Sequence, residues 1–317
     1  MPRVLILQPV HEAGVRALTD AGIDAVTAPD ADRATLLRMI PEFDGLLVRT
    51  TSYRIDAEVM DCAPNLRVIG RHGVGVDHID VAAAVARGIA VVNAPEANSQ
   101  GVAEYAVGLM LMVARGMRHA DAAVREGDWS RREQLIGSEL NGGTLGIVGL
   151  GRVGSRVARI CRGGFQMRTL YYDIVRKHEF ESELGVEFRS FDDVIAEADI
   201  LTVHVPLTDL TRGMINGDVL SRMKTGAMLI NTSRGPVVKL DTLVEAISSG
   251  HIAGAGIDVF PDEPLPTDHP ILQLPQVVVS PHMASHSQMS MVRMALVAED
   301  IARVLQGEAP RYPVLPE

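Results

Sequence analysis

The chain has 317 residues, 47% of them apolar, and a formal net charge of −10. This length favours two domains, and the apolar content excludes a largely disordered protein. The acidic balance argues against a nucleic-acid partner, although local arginines could still bind an anionic substrate.

Two cysteines, Cys62 and Cys161, occur without a CxxC motif or a Cys/His cluster. This usage argues against disulfides and metal ligation, so we expect a cytoplasmic protein without a metal. The apolar run at the start of the chain is too short for a signal peptide and predicts a first strand. The longest apolar run, from Tyr105 to Ala114, is too short to span a bilayer, so we expect no membrane association.

Apolar strand-like runs alternate with helix-like segments along the chain, the pattern of parallel sheets built from βαβ units. The first series of predicted strands covers residues 4–8, 25–27, 45–49, 67–70 and 90–92. Predicted helices between these strands include residues 12–21, 33–40 and 80–87.

A long segment, residues 99–128, is rich in apolar residues and nearly free of helix breakers. It predicts one or two helices that bridge the two halves of the chain. Its stripe of Val107, Met110, Leu111 and Ala114 could pack on its own domain or form a dimer interface, and we expect a homodimer.

The second series of predicted strands covers residues 145–149, 169–172, 200–205, 228–231, 256–259 and 277–280. Its first strand runs into Gly149-Leu150-Gly151-Arg152-Val153-Gly154, and Asp173 follows nineteen residues after Gly154. Strand, glycine turn, helix and spaced acid together form a dinucleotide-binding fingerprint. The alternative is a tight strand-to-helix turn without a ligand.

Each glycine of the fingerprint has a physical role. Gly149 permits the tight turn, Gly151 lets a pyrophosphate approach the backbone amides, and Gly154 lets the helix pack closely on the sheet. The helix N-terminus then offers a partial positive charge. Asp173 can accept hydrogen bonds from ribose hydroxyls and repels a 2′-phosphate, which favours NAD over NADP. Arg176 and Lys177 weaken that preference, because a basic side chain can accommodate the phosphate.

These elements predict an α/β protein with two tandem doubly wound parallel-sheet domains. Residues 1–98 with 286–317 form a flavodoxin-like substrate domain, and residues 99–285 form a Rossmann dinucleotide-binding domain. The C-terminal segment 289–305 predicts an amphipathic helix that returns to the first domain.

Three polar residues stand at predicted strand ends in the second domain, where ligands bind in such sheets: Arg234, Glu263 and His282. An arginine can grip a carboxylate through two hydrogen bonds, and a histidine can donate a proton at neutral pH. A glutamate beside it can fix the imidazole. Singly, they could be a surface arginine, a solvated loop acid and one of ten histidines.

With these motifs the chain resembles the D-isomer-specific 2-hydroxyacid dehydrogenases, which include phosphoglycerate, hydroxypyruvate, D-lactate and formate dehydrogenases. The resemblance covers nearly the whole chain. It is carried by residues 149–154 with Asp173, 198–208, 223–238, 258–264 and Pro281-His282. It implies NAD-dependent hydride transfer to or from a small 2-hydroxy or 2-oxo acid.

The resemblance also implies roles for single residues. Arg234 would bind the substrate carboxylate, His282 would be the acid/base, and Glu263 its partner; formate dehydrogenases place a glutamine there, so formate is not expected. The cofactor contacts would be Gly149, Gly151, Arg152, Val153, Gly154, Asp173, Val205, Thr232, Ser233, Asp258 and Val74, with Asp258 at the nicotinamide carboxamide. The backbone amides of Val74 and Gly75 would meet the substrate carboxylate. The chain ends at Glu317, so we expect no additional regulatory domain.

The identity of the acid depends on Arg49 and Arg71, whose positions resemble those that meet a distal phosphate in phosphoglycerate dehydrogenases. Alternatively, both form salt bridges with Asp44 or Asp77. We expect a small anionic acid, with 3-phosphoglycerate first and hydroxypyruvate or glyoxylate next. His286 departs from the family pattern and is either a solvated loop residue or lies near the cleft. A competing hypothesis is an NAD(H)-sensing, corepressor-like binding protein of the same family.

Overall fold

The computed structural model describes residues 1–49 and 53–316. The chain divides into two compact units: a first unit of Met1–Asn98 with His286–Glu317, and a second unit of Ser99–Ser285. Each unit is built around one parallel sheet, so the predicted fold class of two doubly wound α/β sheets is confirmed.

The first unit begins with strands β1 Arg3–Ile6, β2 Asp24–Thr27, β3 Gly45–Val48, β4 Val68–Arg71 and β5 Ala90–Val92. Its connecting helices are α1 Glu12–Asp20, α2 Arg33–Met39, α3 Ala57–Asp61 and α4 Val81–Ala86, with a 3₁₀ turn at Ile40–Glu42. The strand order β2-β1-β3-β4-β5 is flavodoxin-like. Aspartates cap three helices; Asp32, for example, accepts from the Thr35 amide at 2.7 Å.

The second unit opens with helices and then forms a seven-stranded sheet. Its helices are α5 Ser99–Ala114, α6 Met117–Arg125, α7 Arg152–Phe165, α8 His178–Leu184, α9 Phe191–Glu197, α10 Gly217–Arg222 and α11 Leu240–Ser248. Its strands are β6 Thr144–Val148, β7 Arg168–Tyr172, β8 Glu187–Phe188, β9 Ile200–Val203, β10 Ala227–Asn231, β11 Ile252–Ile257 and β12 Val277–Val279. Short 3₁₀ helices lie at Trp129–Glu133, Gly235–Val237 and Pro270–Gln273.

The order of the second sheet is β12-β11-β10-β9-β6-β7-β8, a Rossmann arrangement extended by one strand. The strand order reverses at β6, which pairs with both β7 and β9. All strands of the sheet run the same way, so their carboxyl ends share one edge. The two-residue β8 is not predicted from the sequence, because it is too short to produce a hydrophobic period.

The predicted helical segment 99–128 consists of α5 and α6, separated at Gly116, whose φ of 56° is left-handed. Val107, Met110 and Ala114 of α5 are buried in the core of the second unit, and Leu111 packs against the same core. The stripe therefore packs on its own domain, the first of the two alternatives.

The chain ends with α12 Gln288–Ala295 and α13 Val297–Leu305, in place of one continuous predicted helix. Val297 and Ile301 are buried in the first unit, and the Ile301 side chain fills the space beside Gly70 of β4. Within the described residues, no helix is both long and apolar enough to cross a membrane. In the same part of the chain, no cluster of three or more His, Cys, Asp or Glu side chains could hold a metal ion.

Candidate active site

Arg234, Glu263 and His282 follow three neighbouring strands of the second sheet. Arg234 comes after β10, Glu263 after β11 and His282 after β12. Because these strands are parallel and adjacent, the three residues belong to loops at the same sheet edge. The glycine turn after β6 lies at that edge too, as the topology of such sheets requires for a ligand site.

His282 and Glu263 form a direct pair. His282 Nδ1 lies 2.8 Å from Glu263 Oε2, and the Phe260 amide donates to Glu263 Oε1 at 3.0 Å. Partial burial alone would raise the pKa of Glu263, but these hydrogen bonds and the charges of His282 and Arg234 outweigh it and lower the pKa. A carboxylate that stays ionised fixes the ring through Nδ1, so Nε2 is the nitrogen left for a substrate.

The loop that carries His282 is held by Asp258, which is fully buried. Asp258 Oδ1 accepts from Ser280 Oγ at 2.6 Å and from the Met283 amide at 2.9 Å, and Oδ2 accepts from the Ala284 amide at 2.8 Å. His282 itself has a left-handed φ of 50°, a conformation that a non-glycine residue adopts only when its surroundings hold it.

The resemblance assigns Asp258 to the nicotinamide carboxamide, and that contact stays a prediction. In the structure both of its oxygens bind the 280–284 loop, a positioning role that sequence reasoning missed. The sequence feature that could have predicted this role is an acid at the end of a buried apolar strand. A buried charge needs hydrogen-bond partners, and the nearby loop can supply them.

The Arg234 loop is shaped by a second buried polar residue, Asn231, which is 1% exposed. Asn231 Oδ1 accepts from Ser233 Oγ at 2.7 Å, and Asn231 Nδ2 donates to the Arg234 carbonyl at 3.1 Å. At Gly235, a Cβ atom would overlap the backbone of Phe260. Only glycine therefore lets the loop after β10 lie directly against the loop after β11.

The glycine turn has the geometry that the fingerprint predicts. Gly149 has φ 95°, and a Cβ at Gly154 would overlap the Gly149 carbonyl. A Cβ at Gly151 would meet nothing within 4 Å, which leaves the space that a pyrophosphate needs. Arg152 is exposed at the start of α7.

Two further observations fit a bound dinucleotide. A cleft of about 620 Å³ is lined by Gly151, Arg152 and Lys177. Asp173 lies next to the glycine turn, because its Oδ2 accepts a hydrogen bond from the Leu150 amide at 2.9 Å. Thr232 Oγ1 is buried without a hydrogen-bond partner among the described residues. An orphaned buried hydroxyl beside the catalytic loop is expected where a ligand supplies the missing partner.

The other predicted cofactor residues are placed less distinctively. Val205 follows β9, and its side chain lies against the space beside Gly149. Val153 is half-buried and packs against the core of its unit. Ser233 donates its hydroxyl to Asn231, so its observed role is to shape the loop. A contact of each with the cofactor stays a prediction.

In the first unit, Arg71 binds backbone carbonyls. Its Nε donates to Gly75 O at 2.9 Å, and its Nη1 donates to the carbonyls of His72 and Arg49. Asp44, one of its two suggested salt-bridge partners, accepts from the Arg3 amide. Arg71 thus supports the loop, a role that the sequence did not predict; a contact with the substrate stays a prediction, as does the alternative of an ion pair with Asp77.

The loop at Gly73–75 is tied down through its carbonyls. Ala94 N donates to Gly73 O at 2.9 Å, and Asn93 Nδ2 donates to Val74 O at 2.7 Å. Among the described residues, the amides of Val74 and Gly75 donate no hydrogen bond. Backbone donors left over in this way suit an anion.

Arg49 lies beside two histidines in the first unit. Its Nη2 is 2.9 Å from His286 Nε2. His286 lies in an exposed loop, as the first alternative from the sequence has it, and also contacts Arg49. Buried His72 lies in the same cluster: desolvation, followed by the charges of Arg49 and Arg71, lowers the pKa of His72 to about 4. Its imidazole is therefore neutral at physiological pH.

Comparisons with known proteins agree with this geometry. The family model described as "D-isomer specific 2-hydroxyacid dehydrogenase, NAD binding domain" matches residues 107–284. A D-3-phosphoglycerate dehydrogenase of Archaeoglobus fulgidus is 40% identical over 96% of this chain, which spans 58% of that protein's length. A glyoxylate reductase of Thermofilum pendens is 43% identical over 98% of this chain and 93% of its own length.

A solved structure is similar along nearly the whole chain. The NADPH-dependent glyoxylate/hydroxypyruvate reductase of Sinorhizobium meliloti, in complex with NADP and malonate, superposes with a TM-score of 0.87 and 32% identity. The match covers 99% of this chain and 96% of that one.

Proposed function

The chain belongs to the D-isomer specific 2-hydroxyacid dehydrogenase family, and from this premise we propose that it interconverts a small anionic 2-oxo acid and its D-2-hydroxy acid with NAD(H). Membership makes it an oxidoreductase that uses a nicotinamide dinucleotide. The observation that carries the proposal is the His282–Glu263 pair at 2.8 Å, on loops next to that of Arg234 at the sheet edge of the glycine turn.

When bound, NAD(H) would supply or accept the hydride at C2 of the substrate. The protein's own residues manage the carboxylate and the proton. Arg234 binds the substrate carboxylate. His282, protonated on both nitrogens, donates the Nε2 proton to the oxo oxygen during reduction, while Glu263 accepts from Nδ1 and stabilises the imidazolium. In the oxidative direction neutral Nε2 takes the hydroxyl proton.

For the cofactor, we propose the pyrophosphate at Gly151, Arg152 and Val153, and the nicotinamide ribose at Thr232, whose buried hydroxyl lacks a partner among the described residues. We propose NAD as the preferred dinucleotide, because Asp173 stands after β7 where it would repel a 2′-phosphate.

For the first unit, we propose that Arg49 and the amides of Val74 and Gly75 bind anionic groups of the substrate. The order of candidates remains 3-phosphoglycerate, then hydroxypyruvate or glyoxylate. Arg49 supports the first, because its guanidinium contacts His286 and forms no ion pair with a carboxylate among the described residues.

The test is turnover of NADH with 3-phosphohydroxypyruvate, hydroxypyruvate and glyoxylate. We expect oxidation of NADH with at least one acid, and a KM for the phosphorylated acid that rises at least about tenfold in Arg49→Ala while that for glyoxylate changes little. An equal KM in wild type and variant would contradict the phosphate assignment. NADH binding without turnover on any acid would favour the NAD(H)-sensing, corepressor-like alternative.

We also propose a homodimer formed through the segment 117–136. It exposes four large apolar side chains: Met117, Val124, Trp129 and Ile136, the last 88% exposed. Ile136 also lines a cleft of about 390 Å³ beside α5. A second copy would cover this surface. Light scattering should give a dimer for the wild type and a monomer for Ile136→Asp; a monomeric wild type would contradict the proposal.

A cytoplasmic location without nucleic-acid or membrane partners stays an expectation from composition.

A further inference from the structure

A basic residue, Arg176, follows the proposed ribose-binding Asp173 within three positions. The Val175 amide donates to Asp173 Oδ1 at 3.2 Å, which folds the loop back onto the acid, and Arg176 comes next. An arginine in this region is the usual means of accepting the 2′-phosphate of NADP. The Sinorhizobium relative is NADPH-dependent, so the fold itself does not decide between the cofactors.

Arg176, however, is bound to Glu181 of α8 by two parallel hydrogen bonds. Arg176 Nε donates to Glu181 Oε1, and Nη2 donates to Oε2, both at 2.8 Å. The guanidinium also lies over the Phe188 ring, 5.4 Å from its centroid. Bidentate pairing and stacking fix both the position and the plane of the arginine.

Glu181 is itself held in place by a residue of the sheet, Tyr171 of β7. The Tyr171 hydroxyl donates to Glu181 Oε1 at 2.7 Å and accepts from the Lys177 amide at 2.8 Å. The Glu181 side chain is 19% exposed, against 52% for Arg176. Hydrogen bonds from Arg176 and then Tyr171 lower the pKa of Glu181 to about 2, so the carboxylate is ionised at physiological pH.

We propose that Glu181 determines cofactor choice as a positioning residue: it holds Arg176 on α8 and Phe188 and so keeps this guanidinium away from the 2′-position of the ribose. This inference rests on the proposed preference for NAD and adds its cause. Asp173 repels the 2′-phosphate, and Glu181 withholds a cation that could compensate for this repulsion. Release of Arg176 then creates an NADP-accepting site without any new basic residue.

The experiment measures dissociation constants of NADH and NADPH by nicotinamide fluorescence on the full-length protein. In Glu181→Gln we expect NADPH to bind about tenfold more tightly than in the wild type, with NADH affinity within about twofold. Adding Arg176→Ala should remove the gain. Glu197→Gln is the matched control, because Glu197 pairs with Arg168 at 2.7 Å and neither residue lines the cleft at Gly151.

Tyr171→Phe provides a second, milder variant if Glu181→Gln folds poorly. It removes one hydrogen bond to Glu181, and we expect a smaller shift in the same direction. Unchanged NADPH affinity in both variants, with a wild type that prefers NADH, would overturn the role of Glu181 alone. A gain that persists after Arg176→Ala would overturn it as well. A wild type that binds both cofactors equally would overturn the NAD preference together with this inference.

Discussion

The two units support their functional loops with scaffolds of opposite charge. In the second unit, the Asp258 carboxylate accepts hydrogen bonds from backbone amides of the His282 loop. In the first unit, the Arg71 guanidinium donates hydrogen bonds to backbone carbonyls around Gly73–75. The Asp258 carboxylate accepts hydrogen bonds from the loop amides, so the group that this loop offers to a ligand is the His282 side chain. The Arg71 guanidinium donates to the loop carbonyls, so the amides of Val74 and Gly75 stay available to bind an anion.

Removing the charge of the anionic scaffold should have the largest effect. In Asp258→Asn the side-chain NH₂ group faces a backbone N–H donor of the loop, that of Ala284 or Met283, and the left-handed conformation of His282 loses its support. We expect kcat to fall about 100-fold and the free energy of unfolding to fall by about 2–4 kcal/mol.

NADH affinity separates this explanation from loss of a cofactor contact. If Asp258 acts through the loop, the dissociation constant of NADH stays within about threefold of the wild type. A large loss of NADH affinity with normal kcat would show that the predicted carboxamide contact dominates.

Gly235→Ala tests whether the catalytic loops depend on close backbone contact. The added Cβ would overlap the Phe260 backbone, so the loops of Arg234 and Glu263 must move apart. We expect a loss of about 3 kcal/mol in the free energy of unfolding and reduced turnover. The control is Gly163→Ala in α7, where a Cβ meets nothing within 4 Å; it should be neutral or stabilising by up to about 1 kcal/mol. Equal urea midpoints for both variants would refute the argument.

The cationic scaffold predicts a contrast between the two arginines of the first unit. Arg71→Ala removes charge-assisted bonds to three carbonyls, and we expect a loss of about 2 kcal/mol in unfolding free energy. Arg49→Ala should change stability much less and act on KM alone. Equal destabilisation of both variants, measured by urea unfolding, would remove the distinction between support and ligand.

How much of this contrast is visible in the sequence differs from residue to residue. Alternating apolar runs predict both sheets except the two-residue β8. The spacing from Gly149 to Asp173 predicts the dinucleotide turn, because both features are local in the sequence. Asp258 and Arg71 look like ligand-binding residues in the sequence. Their hydrogen-bond partners, such as Ala284 and Gly75, come close only when the loops have folded. Tertiary hydrogen bonds of this kind produce no periodic pattern in the sequence.

The smallest expected effect concerns His72, beside the cationic scaffold. Its folded-state pKa of about 4 lies below the ordinary histidine pKa of 6.5, so the unfolded chain binds more protons between these values. Stability is therefore lost as the pH falls through this window, by up to about 2 kcal/mol between pH 7 and pH 5. His72→Gln should flatten this pH dependence of the urea midpoint. An unchanged slope would mean that His72 is not the titrating group.

The central claim is that His282, oriented by Glu263, transfers the proton that accompanies the hydride. It is tested most directly by His282→Gln, with kcat and NADH affinity measured on the same preparation and His269→Asn, in a loop between β11 and β12, as control. We predict a fall in kcat of at least about 100-fold, NADH affinity within about twofold, and an unaffected control. Retention of kcat within about tenfold, or loss of NADH binding, would contradict the assignment of His282 as acid/base.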